Sequence, residues 1–269
     1  RVLLEELEGE ADDTAMLVAR AALTRAFGTH PYGRSMRGCE KTLSRLDEVN
    51  VRAAWLAQHP LEDGVLAIAG DISPREAIDT IAALVRRVET DPVAAGGDLG
   101  DQSTRRWSGD AANTLRWPAS TRSQVVRSAT VQQQAHLRML FRGVPVHDAR
   151  VPALRILMAV LGDQSGRLFA ALREDEGLVY SVGAKSVEAL EGGYLAIAAS
   201  TRHDRVAKVR RKIRQVLIDL REEGIRPEEL RRATRTLVSE HERGRQRRMR
   251  LSIELAMRAV SNRPWAEFG

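Results

Sequence analysis

The 269 residues contain a single cysteine, Cys39, so no disulfide can close within the chain and no cysteine-based zinc knuckle can form. No apolar run approaches the roughly 20 residues that cross a bilayer, which excludes a helical membrane span. The opening residues, RVLLEELEGEADD, are acidic and lack a starting Met and any signal-peptide pattern. That start reads as internal to a longer polypeptide, and the sequence does not disclose a compartment. Lysine is scarce, at Lys41, Lys185, Lys208 and Lys212, so the net charge of +6 is carried almost wholly by arginine. Much of it lies between Arg202 and Arg250. The few aromatics are scattered singly, without the alternation of basic and stacking residues that binds nucleic acid. Val206, Val209, Ile213, Val216, Leu217 and Leu220 fall on one helical stripe, which makes the intervening arginines its solvated face. No nucleic-acid partner is expected.

What is present is enough apolar residue, 43%, for two modest domains with their own cores. Met16, Ala19, Leu23, Ala26 and Phe27 form an amphipathic stripe that ends in the loop from Gly28 to Arg34, where Pro31 and two glycines break the helix. Asp47 is a plausible N-cap for a helix through Trp55 to His59. Val65–Ala69 reads as a short strand between glycines, and Ser73-Pro74-Arg75-Glu76 as a capping box with proline at the first helical position. Residues 91–113, with little apolar periodicity, read as a linker. Beyond them, 122–130 is an expected strand, and Gln134–Arg142 alternates in strand fashion. A helix ends near Leu161, a strand runs from Gly193 to Thr201, and the last third is helical, broken at Gly224 and restarted at Pro227. Strands beside long helices, without βαβ alternation, give an α+β class. The expected division is two related domains, each a mainly antiparallel sheet packed by helices and both incomplete. The first spans 1–90 and the second 114–269, with 91–113 as the linker.

The chain is organised around Gly166–Tyr180, GRLFAALREDEGLVY. Leu168, Phe169 and Leu172 give a short helix its apolar face, Gly177 suits a left-handed cap, and a β-rich run follows. Arg173 and Tyr180 stand on opposite sides of this corner, both able to reach one cleft. The residues alone leave two readings open. In one, the corner is structural, Arg173 is a solvated cation, and Tyr180 shares a strand face with Leu178 and Val182. In the other, the pair serves a site.

GRLFAALREDEGLVYSVGA resembles the second-domain signature of the pitrilysin/insulinase family of zinc metallopeptidases, in particular its two-domain branch similar to the mitochondrial processing peptidase. FGTHPYGRSMRGCEKTLSRL, followed by a helix and VLAIAGDISPREA, resembles the later part of that family's first domain. The resemblance is collinear over nearly the whole chain. It implies a peptidase that closes two domains around an extended peptide. Zinc there is held by two His of an inverted HxxEH helix and by a downstream Glu, which falls here on Glu6, with Glu5 as the register alternative. The resemblance further implies that Arg173 and Tyr180 bind substrate and stabilise the oxyanion. Asp163, where the family often has glycine, adds negative charge nearby.

HxxEH is absent. The six histidines, His30, His59, His136, His147, His203 and His241, make no pair at helical spacing. The expectation is therefore that this chain is part of a zinc metalloendopeptidase and is inactive by itself. HxxEH would lie upstream or on a partner chain, and a second copy of this chain is a further candidate partner. The alternative is a noncatalytic partner or structural subunit of the same family; a basic nucleic-acid-binding module ranks below both.

Overall fold

The computed structural model describes residues 2–28, 30–58, 64–90 and 134–260. The expected linker 91–113, the strand at 122–130, His59 and the final NRPWAEFG lie outside the described residues. By packing the chain divides into two compact units, one of residues 1–43 with 111–240 and the other of 44–110 with 241–269.

The first unit begins with α1 (Val2–Asp12) and α2 (Thr14–Phe27). Asp13 caps α2 by accepting the Met16 N–H at 3.1 Å, and Gly28 ends it at φ 58°. A single 3-10 turn, Pro31–Gly33, follows, with α3 (Glu40–Leu43) beyond it. α2 lies against β1 (Gln134–Arg142). Of its expected apolar stripe, Phe27 is buried and Met16 is exposed.

α6 (Val151–Gly162) leads into α7 (Arg167–Phe169), and then come β2 (Val179–Glu188) and β3 (Gly193–Arg202). The sheet is antiparallel in the order β1-β3-β2. α8 (Val206–Glu223) and α9 (Pro227–Arg245) complete the run, with Gly224 at φ 75° providing the expected break between them. The core sits between one face of the sheet and the helices. Leu168 and Leu172, Ile197 of β3, and Val209 and Ile213 of α8 are all within 2% of complete burial. The α8 stripe is thus the core face, and Arg210, Arg211 and Arg214 between its members are exposed. Gly162 is where α6 rides on β2: a Cβ there would lie 2.2 Å from the Ala184 nitrogen, so only glycine fits.

The second unit, described at 44–58, 64–90 and 241–260, holds α4 (Glu48–Gln58), α5 (Pro74–Thr90) and α10 (Arg248–Val260). Asp47 caps α4 through the Asn50 N–H at 2.7 Å. The capping box forms reciprocally: Glu76 N–H donates to Ser73 Oγ at 3.2 Å, and Ser73 N–H to the Glu76 carboxylate at 3.1 Å. Val65–Ala69, expected as a strand, carries no ladder, and Val65, Leu66 and Ile68 are exposed. Its apolar run is a strand signal, but strand geometry is held by a neighbour's hydrogen bonds, and none of the described residues supplies them. The mixture of helix with antiparallel sheet is as expected; the sheet among the described residues belongs to the first unit alone.

Candidate functional site

The corner departs from regular geometry on both of its arms. After α7 the backbone widens into a π turn over Ala170–Glu174, with the Asp175 N–H donating to the Ala170 carbonyl five residues back at 3.0 Å. Such turns occur frequently at functional sites. Gly177 then takes φ 55°, the left-handed value its position suggested. On the strand arm, Val179 pairs with Thr201 but Ser181 pairs with Ser200, so Tyr180 is the extra residue of a β-bulge.

That bulge corrects the simple alternation. Leu178 and Val179 are both buried, Val182 returns to the core, and Tyr180 is 53% exposed. Tyr180 therefore does not share a face with Leu178 and Val182, because the added residue inverts the phase of the strand at this point.

Three donors hold the corner by its carbonyls. Arg205 Nη1 donates to Gly177 O at 2.7 Å and the buried Thr201 Oγ1 to Leu178 O at 2.6 Å. Arg173 Nη1 donates to Tyr180 O. The Arg173 guanidinium also stands 5.5 Å from the Phe169 ring centroid, a cation–π distance. Glu176 accepts from Lys208 and Lys212 of α8, each at 2.8 Å, and these two cations hold its pKa down to about 2. Arg173 and Tyr180 are thus brought together, Arg173 through the carbonyl of the residue whose phenol projects to solvent.

Arg167 opens α7 and serves a different purpose. Its Nε and Nη2 donate to the Glu229 carboxylate, both at 2.7 Å, and Nη2 also donates to Gly224 O at 2.8 Å. The Arg226 N–H adds a further bond to Glu229 at 2.9 Å. These donors, Arg167 foremost, lower the Glu229 pKa to about 2. This mostly buried staple ties the start of α7 to α9. Asp163 lies just before α7, where burial and then Glu240 raise its carboxyl pKa while Arg232 opposes the rise.

Glu6 lies elsewhere, on α1. Arg37 stands 3.7 Å from its carboxylate and 2.7 Å from that of Glu10. The Arg37 guanidinium is thus a loose ion-pair neighbour of one Glu6 oxygen and is held more closely by Glu10. Among the described residues no three His, Cys, Asp or Glu side chains gather as a metal would require. The described residues do not fit a zinc site. No bond among them links Glu6 to Arg173 or Tyr180.

A cleft of about 770 Å³ opens beside Tyr180, lined by Gln134, Tyr180, Arg202, His203 and Asp204. Gln134 and Arg202 face each other in the β1–β3 register. Arg202 Nε and Nη2 grip both oxygens of Asp204 at 3.1 and 2.9 Å. None of these four neighbours of Tyr180 was singled out from sequence. The signal was a charged Arg-His-Asp-Arg run at the end of a strand, and only the pairing of β1 with β3 shows that it lies beside Tyr180.

This fold has counterparts of known structure. The peptidase M16 inactive domain from Pseudomonas fluorescens superposes with a TM-score of 0.71 at 19% identity, covering 99% of this chain and 60% of that one. A protease from Helicobacter pylori superposes at 0.79 and 14% identity, over 97% and 61%. In sequence, residues 61–237 match the family described as "Peptidase M16 inactive domain". The chain belongs to the M16 peptidases, the pitrilysin/insulinase family of the sequence resemblance. Among curated proteins it is similar to the uncharacterized zinc protease YmxG of Bacillus subtilis, with 26% identity over 85% of this chain and 51% of the relative. An uncharacterized zinc protease of Mycobacterium leprae is 29% identical over 88% and 50%. The chain spans about half the length of these curated relatives. No helix among the described residues is long and apolar enough to cross a membrane.

Proposed function

We propose that this chain is the substrate-polarising part of a zinc-dependent metalloendopeptidase acting on extended peptides. The single observation behind the proposal is the doubly irregular corner, in which a π turn and a β-bulge present Arg173 and Tyr180 together. The Arg173 guanidinium and the Tyr180 phenol donate hydrogen bonds to the carbonyl oxygen of a bound peptide. When a nucleophile adds to the carbonyl carbon, negative charge develops on that oxygen. Donors already fixed in place meet it without reorganising, which is where such groups lower a barrier most. The bond to Tyr180 O and the Phe169 ring place the Arg173 guanidinium beside Tyr180.

The nucleophile and the zinc come from outside the described residues. This is the mitochondrial-processing-peptidase-like reading, with 1–90 and 114–269 belonging to two domains of one chamber and Glu6 as a candidate ligand. Glu6 would have to leave Arg37 to take that part. The test is peptide hydrolysis by the protein at its full encoded length, with and without chelator. Chelator-sensitive cleavage that falls roughly 10²-fold or more in Arg173→Ala, while the 269-residue chain alone cleaves nothing, is the expected result. Cleavage by the full-length protein that is indifferent to chelator contradicts the reading.

A second reading draws on the gathering of no metal-binding cluster among the described residues and on the match to a domain described as inactive. In it the chain is a noncatalytic subunit that lends Arg173 and Tyr180 to an HxxEH-bearing partner. A stable complex with such a partner, active only when assembled, distinguishes it.

A further inference from the structure

Among the described residues the outer face of the sheet, turned away from the core helices, carries charge of one sign, though Ala196 and Ser200 in its middle are buried. Leu137, Met139, Ile197, Ala199, Val182 and Ala184 pack into the core and define the inner face. Strand alternation then places His136 and Arg138 of β1, Arg202 of β3 and Lys185 of β2 on the outer one. The three strands contain one carboxylate, Glu188. It lies with the inner-face residues of β2 and is bound by Arg155 of α6 at 3.0 Å. α2 covers one end of the outer face, where the Phe27 and Tyr194 rings meet at 5.9 Å. The opposite end opens into the cleft beside Tyr180.

Among the described residues Asp204 is the one acidic residue lining that cleft, and both of its oxygens are already held by Arg202. It has little left to offer a basic ligand. Arg202 uses Nε and Nη2 in that grip, and among the described residues no bond engages its Nη1. Arg173 at the Tyr180 carbonyl and Arg205 at the Gly177 carbonyl add two more guanidinium groups at the corner that carries Tyr180. A carboxylate entering the cleft would therefore meet cations, and a lysine or arginine side chain would meet like charge. Among the described residues Tyr180 and the His203 imidazole are the rings lining the cleft, short of the stacking platform that single-stranded nucleic acid uses.

We propose that this cationic outer face is the specificity-determining surface of the site. It selects peptide segments that carry Asp or Glu close to the carbonyl polarised by Arg173 and Tyr180, and Arg202 receives the acidic side chain. The inference rests on the reading of the corner as a peptide site. Arg202 acts on selection, and Arg173 and Tyr180 act on the reacting carbonyl.

The test uses the protein at its full encoded length and three fluorescein-labelled peptides identical except for Glu, Gln or Lys at one central position. Binding is read by anisotropy and cleavage by kcat/KM, at low and physiological salt. The Glu peptide is expected to bind roughly tenfold more tightly than the Lys peptide, with the gap narrowing as salt is added. Arg202→Glu reverses the order, and Arg138→Gln narrows the gap, with melting temperatures unchanged because both side chains lie outside the core. Equal binding of Glu and Lys peptides, or an order that survives Arg202→Glu, overturns the proposal. So does tight binding of a single-stranded oligonucleotide without discrimination among the peptides. Cleavage without acidic preference removes this surface but leaves the peptidase reading intact. Acidic preference in binding without any cleavage removes the peptidase reading and leaves the surface.

Discussion

The described residues of the two packing units show how differently similar helical patterns behave with and without a face among them to pack on. In the first, Leu168, Leu172, Val209 and Ile213 are fully buried between helices and sheet. In the described residues of the second, apolar side chains at comparable helical spacing are open to solvent. Val49, Trp55, Ile78 and Met249 are each more than 60% exposed. Helix formation is therefore not the discriminator, since α5 has a complete capping box and α4 a well-placed Asp47 cap. Caps and turn residues satisfy backbone groups locally, whereas burial needs a second surface. The candidate site lies in the unit whose described residues supply one, and there the irregular π turn and bulge are held against the core.

The contrast can be broken by mutation, and the largest effects fall in the first unit. Gly162→Val would drive a side chain into the Ala184 backbone and is expected to prevent folding of that unit; loss of cooperative thermal unfolding is the readout. Leu172→Ala is expected to cost about 2–5 kcal/mol in chemical denaturation. Ile78→Ala in the second unit should stay within about 0.5 kcal/mol. An equal cost at Ile78 would show that the second unit has a core of its own.

Next comes Glu229. Its pKa is lowered to about 2 by Arg167 and the Arg226 N–H, below the ordinary carboxylate value it has when unfolded. Its stabilisation is therefore present above about pH 4.5 and lost as the pH falls towards 2. Glu229→Gln should lower stability at neutral pH and flatten the acid limb of the stability profile. An acid limb identical to wild type would remove the staple from the account. The smallest effect is Ser73→Ala, about 1 kcal/mol of local helix stability, visible as faster amide exchange in the first turn of α5.

Much of the fold was legible because its signals are local. β1 runs from Gln134 to Arg142 as its alternation indicated, and the Gly177 cap, the Gly224 break and the α8 stripe all stand where residue chemistry puts them. Val65–Ala69 was misread because a strand depends on a partner that its own residues do not specify. At the site, Arg173 and Tyr180 were found through a resemblance, while the geometry around them was not foreseen. A bulge depends on register against β3, and nothing in Leu-Val-Tyr-Ser announces that Tyr180 leaves the alternation. The same holds for Arg202 and Asp204, whose place beside Tyr180 follows from strand pairing.

The most direct measurement is the steady-state kinetics of Tyr180→Phe in the full-length protein, on a peptide that the wild type cleaves. Removing the phenolic donor while keeping the ring should lower kcat by roughly 10²-fold with KM little changed, because the bond is made chiefly to the charge that develops during reaction. An unchanged kcat would contradict the assignment of this corner to catalysis and return Arg173 and Tyr180 to a structural role.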